Sequence, residues 1–402
     1  MFRDVEIPYG CYWSTPFVKW QGSLAHLHSI EFGAWVCRRK LERLEINTSL
    51  IDHAVFGTTV IQRHGFYGLP WLSGLAGLGQ VTGPTLAQAC ATGVRLVLAS
   101  AQEIATGMAS VSLAIAADRC SNSAHVYYPD PTGPGGTGVH EDWLLEAFSC
   151  DPLGNHSMLQ TAENVARKYD ISTAEQHEVV LRRLEQYREA TANNREFQRR
   201  FMALPFEVPS CDFKKIQSSI EGDEGVYEST AEGLARLRPV LPGGSVTMGG
   251  QTRPTDGNAG MILASTSRAR ELSRNWAVRI ELAGFGQARA PLGFMPEATV
   301  PAAHAAMSRA GISVRQLVAI KTHNPFAVND LVLSRALNVP WKDMNNFGCS
   351  LVWGHPNGPT GLRSVIELIE ELTLRGGGYG LFTGCAAGDS AMAVVVKVSS
   401  RA

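Results

Sequence analysis

The sequence predicts a layered α/β fold built from two similar halves, and three observations lead there. Residues 111–117 (Val-Ser-Leu-Ala-Ile-Ala-Ala) and 391–396 are continuous apolar runs, the pattern of strands buried on both faces. Each follows a stretch with helical apolar spacing, so helix and strand alternate. The two helices open on matching words, Thr92-Gly93-Val94-Arg95-Leu96-Val97-Leu98 and Thr360-Gly361-Leu362-Arg363-Ser364-Val365-Ile366. Such a repeat implies two α/β halves with pseudo-twofold symmetry, whose equivalent turns face a common seam. Sites in layered α/β folds tend to form at such seams.

Taken in order, residues 4–22 hold a short strand-like run and a turn-rich link with aromatic anchors, residues 30–45 have helical spacing, and residues 52–59 read as a buried strand. A Gly-rich connection then leads through Gly83-Pro84-Thr85 to Cys90. Apolar side chains recur at Val94, Val97, Leu98, Ala101, Ile104, Ala105 and Met108, which puts Cys90 at or just before the start of a buried helix. Unpaired N–H groups and the helix dipole favour a thiolate there. Residues 127–138, rich in Gly and Pro, predict a loop. Two amphipathic helices are expected over 157–166 and 173–190, the second opened by Ser172 and Glu175 as a capping box. A charged stretch, 195–228, follows. The core resumes as a strand over 259–265, so residues 120–243 read as an inserted subdomain. The expected halves are 1–119 with 244–270, and 271–402.

Composition narrows the function classes. The 402 residues allow two or three domains, and 36 Lys+Arg against 37 Asp+Glu leave no basic field for nucleic acid or an anionic membrane. Eight cysteines without CxxC spacing suggest neither a zinc site nor a disulfide scaffold, and thiols held reduced fit a cytosol-like compartment. The N-terminus lacks the apolar core of a signal peptide, and charged or glycine residues interrupt every apolar stretch that would otherwise span a membrane. A cytoplasmic protein is the expectation.

Three segments of the second half put reactive side chains on turns. His323 lies where the apolar run 317–320 ends, His355 sits in Gly354-His355-Pro356 just before a helix, and Cys385 occupies a small-residue loop before residues 391–396. Small residues let backbone N–H groups approach a ligand closely.

These segments resemble the thiolase family. The Gln88–Gly93 stretch is similar to its nucleophile motif, Gly354-His355-Pro356 with Gly358 and Gly361 to its Gly-His-Pro motif, and Cys385-Ala386-Ala387-Gly388 to its C-terminal Cys-x-Gly loop. Thr15-Pro16-Phe17, Gly22-Ser23-Leu24, Met158 with Thr161-Ala162-Glu163-Asn164, Val246-Thr247 and Asp256-Gly257 fall in family order, so the likeness runs nearly end to end. The resemblance implies the thiolase fold, two repeated α/β halves in a layered α-β-α-β-α arrangement plus an inserted loop subdomain that covers coenzyme A.

It also implies an acyltransferase moving an acyl group between a 3-oxoacyl-CoA and CoA through an acyl-cysteine, with coenzyme A as substrate and no permanently bound cofactor or metal. Cys90 is the implied nucleophile, His355 its base, and Cys385 the second acid/base. His323 with His355 would form one oxyanion hole, and the N–H groups of Cys90 and Ala387 the other. His156, Met158, Thr252, Lys214 and Lys215 are the expected CoA contacts, the lysines for its phosphates. The sequence departs from the family at His323, where many members have asparagine, at Ala387 in place of glycine, and at Tyr227 and Ser14 in place of arginines. A homodimer or homotetramer is implied. Two alternatives remain: a condensing synthase of the same fold, which pairs a cysteine with two histidines, and a subunit for a bulky or aromatic 3-oxoacyl-CoA that needs a small accessory chain.

Overall fold

The computed structural model describes residue 2 and residues 4–401. Two sheets carry the chain, and their strand orders match. In the first, strand Tyr12–Ser14 pairs antiparallel with Thr255–Ala264, which pairs antiparallel with Val111–Arg119, which runs parallel to His53–Gly57. In the second, Val278–Arg289 pairs antiparallel with Ser390–Ser400, which pairs antiparallel with Gly378–Ala386, which runs parallel to Leu317–His323. Short strands at Val18–Lys19 and Thr85–Leu86 extend the first sheet. Glu6 bridges the sheets by pairing with both Ala264 and Glu281.

The matching words of the sequence meet in space. Helices Thr92–Ala105 and Gly358–Leu374 are the crossovers between the parallel strands of each half, and they pack on one another between the sheets. Helix Ser29–Arg43 covers the outer face of the first sheet and Thr299–Ala310 that of the second, which gives the α-β-α-β-α layering. The close approach needs glycine: a Cβ on Gly93 would stand 2.6 Å from the Leu362 nitrogen and 2.7 Å from the Gly358 oxygen. Leu362, Val365, Ile366 and Ile369 are fully buried along that seam, each contributing about 1.5–3 kcal/mol by leaving water.

Three local readings change. Helix Thr92–Ala105 ends before Met108, which is 78% exposed, because Gly107 breaks the helix in a left-handed turn. Residues 127–138 are not all loop: Tyr127 and Tyr128 belong to strand His125–Tyr128, which forms a hairpin with Val139–Asp142 around the Gly/Pro turn. The helix expected over 173–190 runs as Thr173–Arg199, with non-helical backbone at Ala192, Asn193, Asn194 and Arg195, and Ser172 and Glu175 close its capping box.

The segment between the two sheets' strands is tied down by buried charge. Arg363, on the helix after His355, makes a two-pronged contact with Asp223 at 2.6 and 2.8 Å and bonds Glu367 at 3.0 Å. Its guanidinium lies 4.7 Å from the Phe17 ring and 4.3 Å from the Trp353 ring. Burial alone would raise the Asp223 carboxyl, but the Arg363 charge overrides it and holds the group below its usual range.

Candidate active site

Cys90 stands on a tight turn just ahead of its helix. Ala89 takes a left-handed φ of 44°, and the Thr92 hydroxyl donates to the Ala89 carbonyl at 2.7 Å and accepts from Gln88 N–H at 2.8 Å. A non-glycine residue held this way stores strain of about 1–3 kcal/mol, the kind that gathers at functional sites. Its outcome is a sulfur presented to a cavity of about 210 Å³.

That cavity is lined by Cys90, His355, Cys385 and Ala387, with Met158, Thr252, Gln251 and an apolar wall of Phe148, Leu159, Met295 and Phe326. A larger cleft of about 950 Å³ lies between helix Ser29–Arg43 and the hairpin Phe206–Ile220, but it holds none of these groups. The Cys90 sulfur and a ring nitrogen from each of His323 and His355 lie within 4.8 Å of one another. The two imidazoles stack, centroids 4.1 Å apart and planes at 30°.

Each imidazole is held through Nδ1. His355 Nδ1 meets the Thr360 hydroxyl at 2.6 Å and His323 Nδ1 meets the Ser350 hydroxyl at 2.9 Å, which leaves both Nε2 atoms buried without a protein partner. Burial lowers the His323 pKa to about 3, and burial with the neighbouring His323 takes His355 well below the usual histidine value. Both rings are therefore neutral at physiological pH.

The thiols are pushed the other way. Burial raises the Cys90 pKa to about 11, although the N–H groups of Ala387 and Cys90 act to lower it. The helix start therefore does not produce a standing thiolate, because desolvation outweighs the backbone donors. Cys385 is raised further by burial and by Cys90, against the Asn329 amide, whose nitrogen lies 3.2 Å from the Cys385 sulfur. Asp118 fixes the seam by accepting from Thr59 N–H and Val60 N–H on one half and Gly358 N–H on the other.

A thiolase N-terminal domain profile matches residues 13–267 and a thiolase C-terminal domain profile matches residues 277–398. The chain belongs to the thiolase family. Among curated thiolases it is 28% identical to a beta-ketothiolase of Cupriavidus necator, covering 99% of this chain and 100% of that protein. It is 29% identical to an acetyl-CoA acetyltransferase of Pseudomonas aeruginosa over 95% of this chain and 96% of the relative. The crystal structure of human mitochondrial 3-ketoacyl-CoA thiolase superposes with a TM-score of 0.89 at 25% identity, covering 98% of this chain and 99% of that one. That of Bacillus anthracis acetyl-CoA acetyltransferase gives 0.89 at 25% over 99% of both. This thiolase is thus an acyltransferase with the thiolase fold. Among its described residues no helix is long and apolar enough to cross a membrane.

The structure brings Cys90, His323, His355, Cys385, Ala387, Met158 and Thr252 together. Lys214 and Lys215 are not among the residues lining that cavity; they sit exposed in the turn of the hairpin Phe206–Ile220. His156 does not line the cavity; its Nε2 lies 3.7 Å from the Asp389 carboxylate. Tyr227 is 65% exposed with the Arg253 guanidinium 5.0 Å from its ring. Ala387 has no left-handed φ, so alanine fits where glycine is usual. Sequence reasoning missed Thr360, Ser350 and Asn329. Only Thr360 left a local signal, one helical turn past His355 in the same motif.

Proposed function

We propose that the chain catalyses thiolytic transfer of an acyl group between a 3-oxoacyl-CoA and CoA, and its reverse Claisen condensation, by way of an acyl-Cys90. The observation that supports this best is the meeting of two thiols and two neutral imidazoles at one apolar cavity. The names of the relatives point the same way, since each acts on a CoA thioester or a ketoacyl group by its printed name.

A thiol with a pKa near 11 needs a base at the moment of attack. His355 Nε2, unpartnered and within reach of the Cys90 sulfur, takes that proton while its Nδ1–H donates to Thr360. The Cys90 sulfur adds to the C3 carbonyl of the 3-oxoacyl-CoA, and the C2–C3 bond breaks. The electron pair goes to the acetyl-CoA enolate, which Cys385 protonates at carbon. In the second half-reaction Cys385 takes the proton of an incoming CoA thiol, which displaces Cys90 from the acyl group, and His355 returns its proton to the departing Cys90 sulfur.

Charge develops on oxygen twice. His323 is neutral and meets the Ser350 hydroxyl at Nδ1; once that hydroxyl turns from Asn324 Oδ1 to donate to His323 Nδ1, the ring carries its proton on Nε2 and donates with protonated His355 to the enolate oxygen. The N–H groups of Cys90 and Ala387, which face the Cys90 sulfur, receive the tetrahedral oxyanion. On this reading residues 120–243 cover the pantetheine arm, because Phe148, Met158 and Leu159 of that segment wall the cavity. Coenzyme A and acyl-CoA thioesters are then the partners, the family resemblance supports a homodimer or homotetramer, and eight cysteines without CxxC spacing support a cytoplasmic location.

The trio of Cys90, His323 and His355 also fits a condensing synthase. Cys385 discriminates, since a synthase needs no second thiol acid/base. The test is cleavage of acetoacetyl-CoA and of longer, branched and aryl 3-oxoacyl-CoA esters by the isolated chain, together with the Cys385→Ala variant. Cleavage lost in that variant supports the thiolase reading; cleavage retained at full rate refutes it.

A further inference from the structure

We propose that Asp151, His156 and Asp389 form a binding site for a divalent transition metal such as Zn²⁺, separate from the thiol cavity, that clasps the loop ahead of helix Met158–Lys168 to the turn after Cys385. A ligand atom from each of the three lies within 4.8 Å of the other two. One imidazole with two carboxylates is a donor set suited to zinc and its neighbours.

The hydrogen bonding leaves that set unsatisfied. Asp389 is 1% exposed; its Oδ2 accepts from Gly293 N–H at 2.9 Å, and its Oδ1 has no hydrogen-bond partner among the described residues. His156 Nε2 is likewise buried without a hydrogen bond. Asp151 spends Oδ1 on the N–H groups of Leu153 and Gly154, at 2.8 and 2.9 Å. A buried carboxylate oxygen and a buried ring nitrogen without partners are costly.

The spacing decides between a direct contact and a bridging ion. His156 Nε2 and Asp389 Oδ2 stand 3.7 Å apart, too far for a hydrogen bond. Two donors on a tetrahedral ion at about 2.0–2.2 Å are roughly 3.3–3.6 Å apart, so a small closure seats the metal. Arg289, whose charge reaches Asp151, offsets part of the negative charge but leaves two carboxylates against one guanidinium. The position gives the ion a task. Asp389 follows Ala387 by two residues and His156 precedes Met158 by two, so the clasp would hold two edges of the cavity at a fixed separation.

The test must keep the sulfur cluster from answering for this one. The full chain carrying Cys90→Ala is stripped with a chelator, returned to Zn²⁺, and assayed for bound metal and for Tm. One tightly held Zn²⁺ per chain and a raised Tm are expected. In that background Asp389→Asn and His156→Gln should each weaken Zn²⁺ binding more than about 10-fold and abolish the Tm gain. Absence of Zn²⁺ binding by the Cys90→Ala chain, or undiminished binding in both further variants, overturns the proposal. Should Asp389→Asn fail to fold, His156→Gln decides alone, because its ring lies at the edge of the packed interior.

Discussion

His323 and His355 stack with their ring centroids 4.1 Å apart; a ring nitrogen of each lies within 4.8 Å of the Cys90 sulfur, and among the described residues neither Nε2 has a hydrogen-bond partner. Two imidazoles this close cannot both be charged, so the pair accepts at most one proton during a cycle.

The first expectation concerns that proton. Thr360→Val removes the hydroxyl that holds His355 Nδ1 and frees the ring to take the wrong tautomer. Acylation of Cys90 should slow by about 10–100-fold with unchanged folding, and His355→Ala should slow it by about 10²–10⁴-fold. Stopped-flow measurement of acyl-enzyme formation checks both. A Thr360→Val variant with wild-type rate and pH profile removes the tautomer argument.

The nucleophile makes the sharper case. Cys90→Ser should abolish covalent acyl labelling seen by intact-mass spectrometry and reduce turnover by more than about 10⁴-fold. Labelling that persists on another residue would reassign the nucleophile.

Stability should also depend on pH through the buried pair. His323 titrates near 3 and His355 well below its ordinary value in the fold, whereas both take up protons near 6.5 when unfolded. The unfolded state therefore binds more protons below that pH. Stability should be fully present above about pH 6.5 and fall as pH drops, by up to about 1.4 kcal/mol per pH unit for each histidine. Asp118 and Asp256, both raised to about 6 mainly by burial, act in the opposite direction between pH 4 and 6 and blunt the slope. Urea unfolding of the wild type and of His323→Asn across pH 4 to 7 checks this. Equal slopes in the two proteins would show that His323 is not buried neutral.

The helix seam gives a packing prediction. Gly93→Ala puts a methyl 2.6 Å from the Leu362 nitrogen, and backbone cannot move aside as a side chain can. A loss of about 1–3 kcal/mol in unfolding free energy is expected, with a larger loss of activity because Cys90 and His355 stand at the ends of the two helices. Gly311→Ala serves as the reference: no atom lies within 4 Å, so only its left-handed backbone is strained.

How much of this was legible beforehand varies with the physics. Thr92-Gly93 and Thr360-Gly361 could be read as a repeat because close helix contact demands glycine, and that demand is local. The runs 111–117 and 391–396 could be read as central strands because burial on both faces leaves no polar alternation. Cys90, His355 and Cys385 could be gathered only through family likeness, since nothing local says that residues so far apart converge. Ser350 and Asn329 were not legible, because an ordinary serine and asparagine acquire meaning only from the ring or sulfur they meet in three dimensions. Lys214 and Lys215 could be picked out only as adjacent positive charge; the fold sets them at the exposed tip of a hairpin and not in the lining of the thiol cavity.

The matching order of four strands in each sheet has a chemical side. The sulfur proposed to carry the acyl group belongs to one copy, while both imidazoles and the sulfur proposed to shuttle protons belong to the other. If those roles hold, neither half made separately should turn over substrate until the other is supplied.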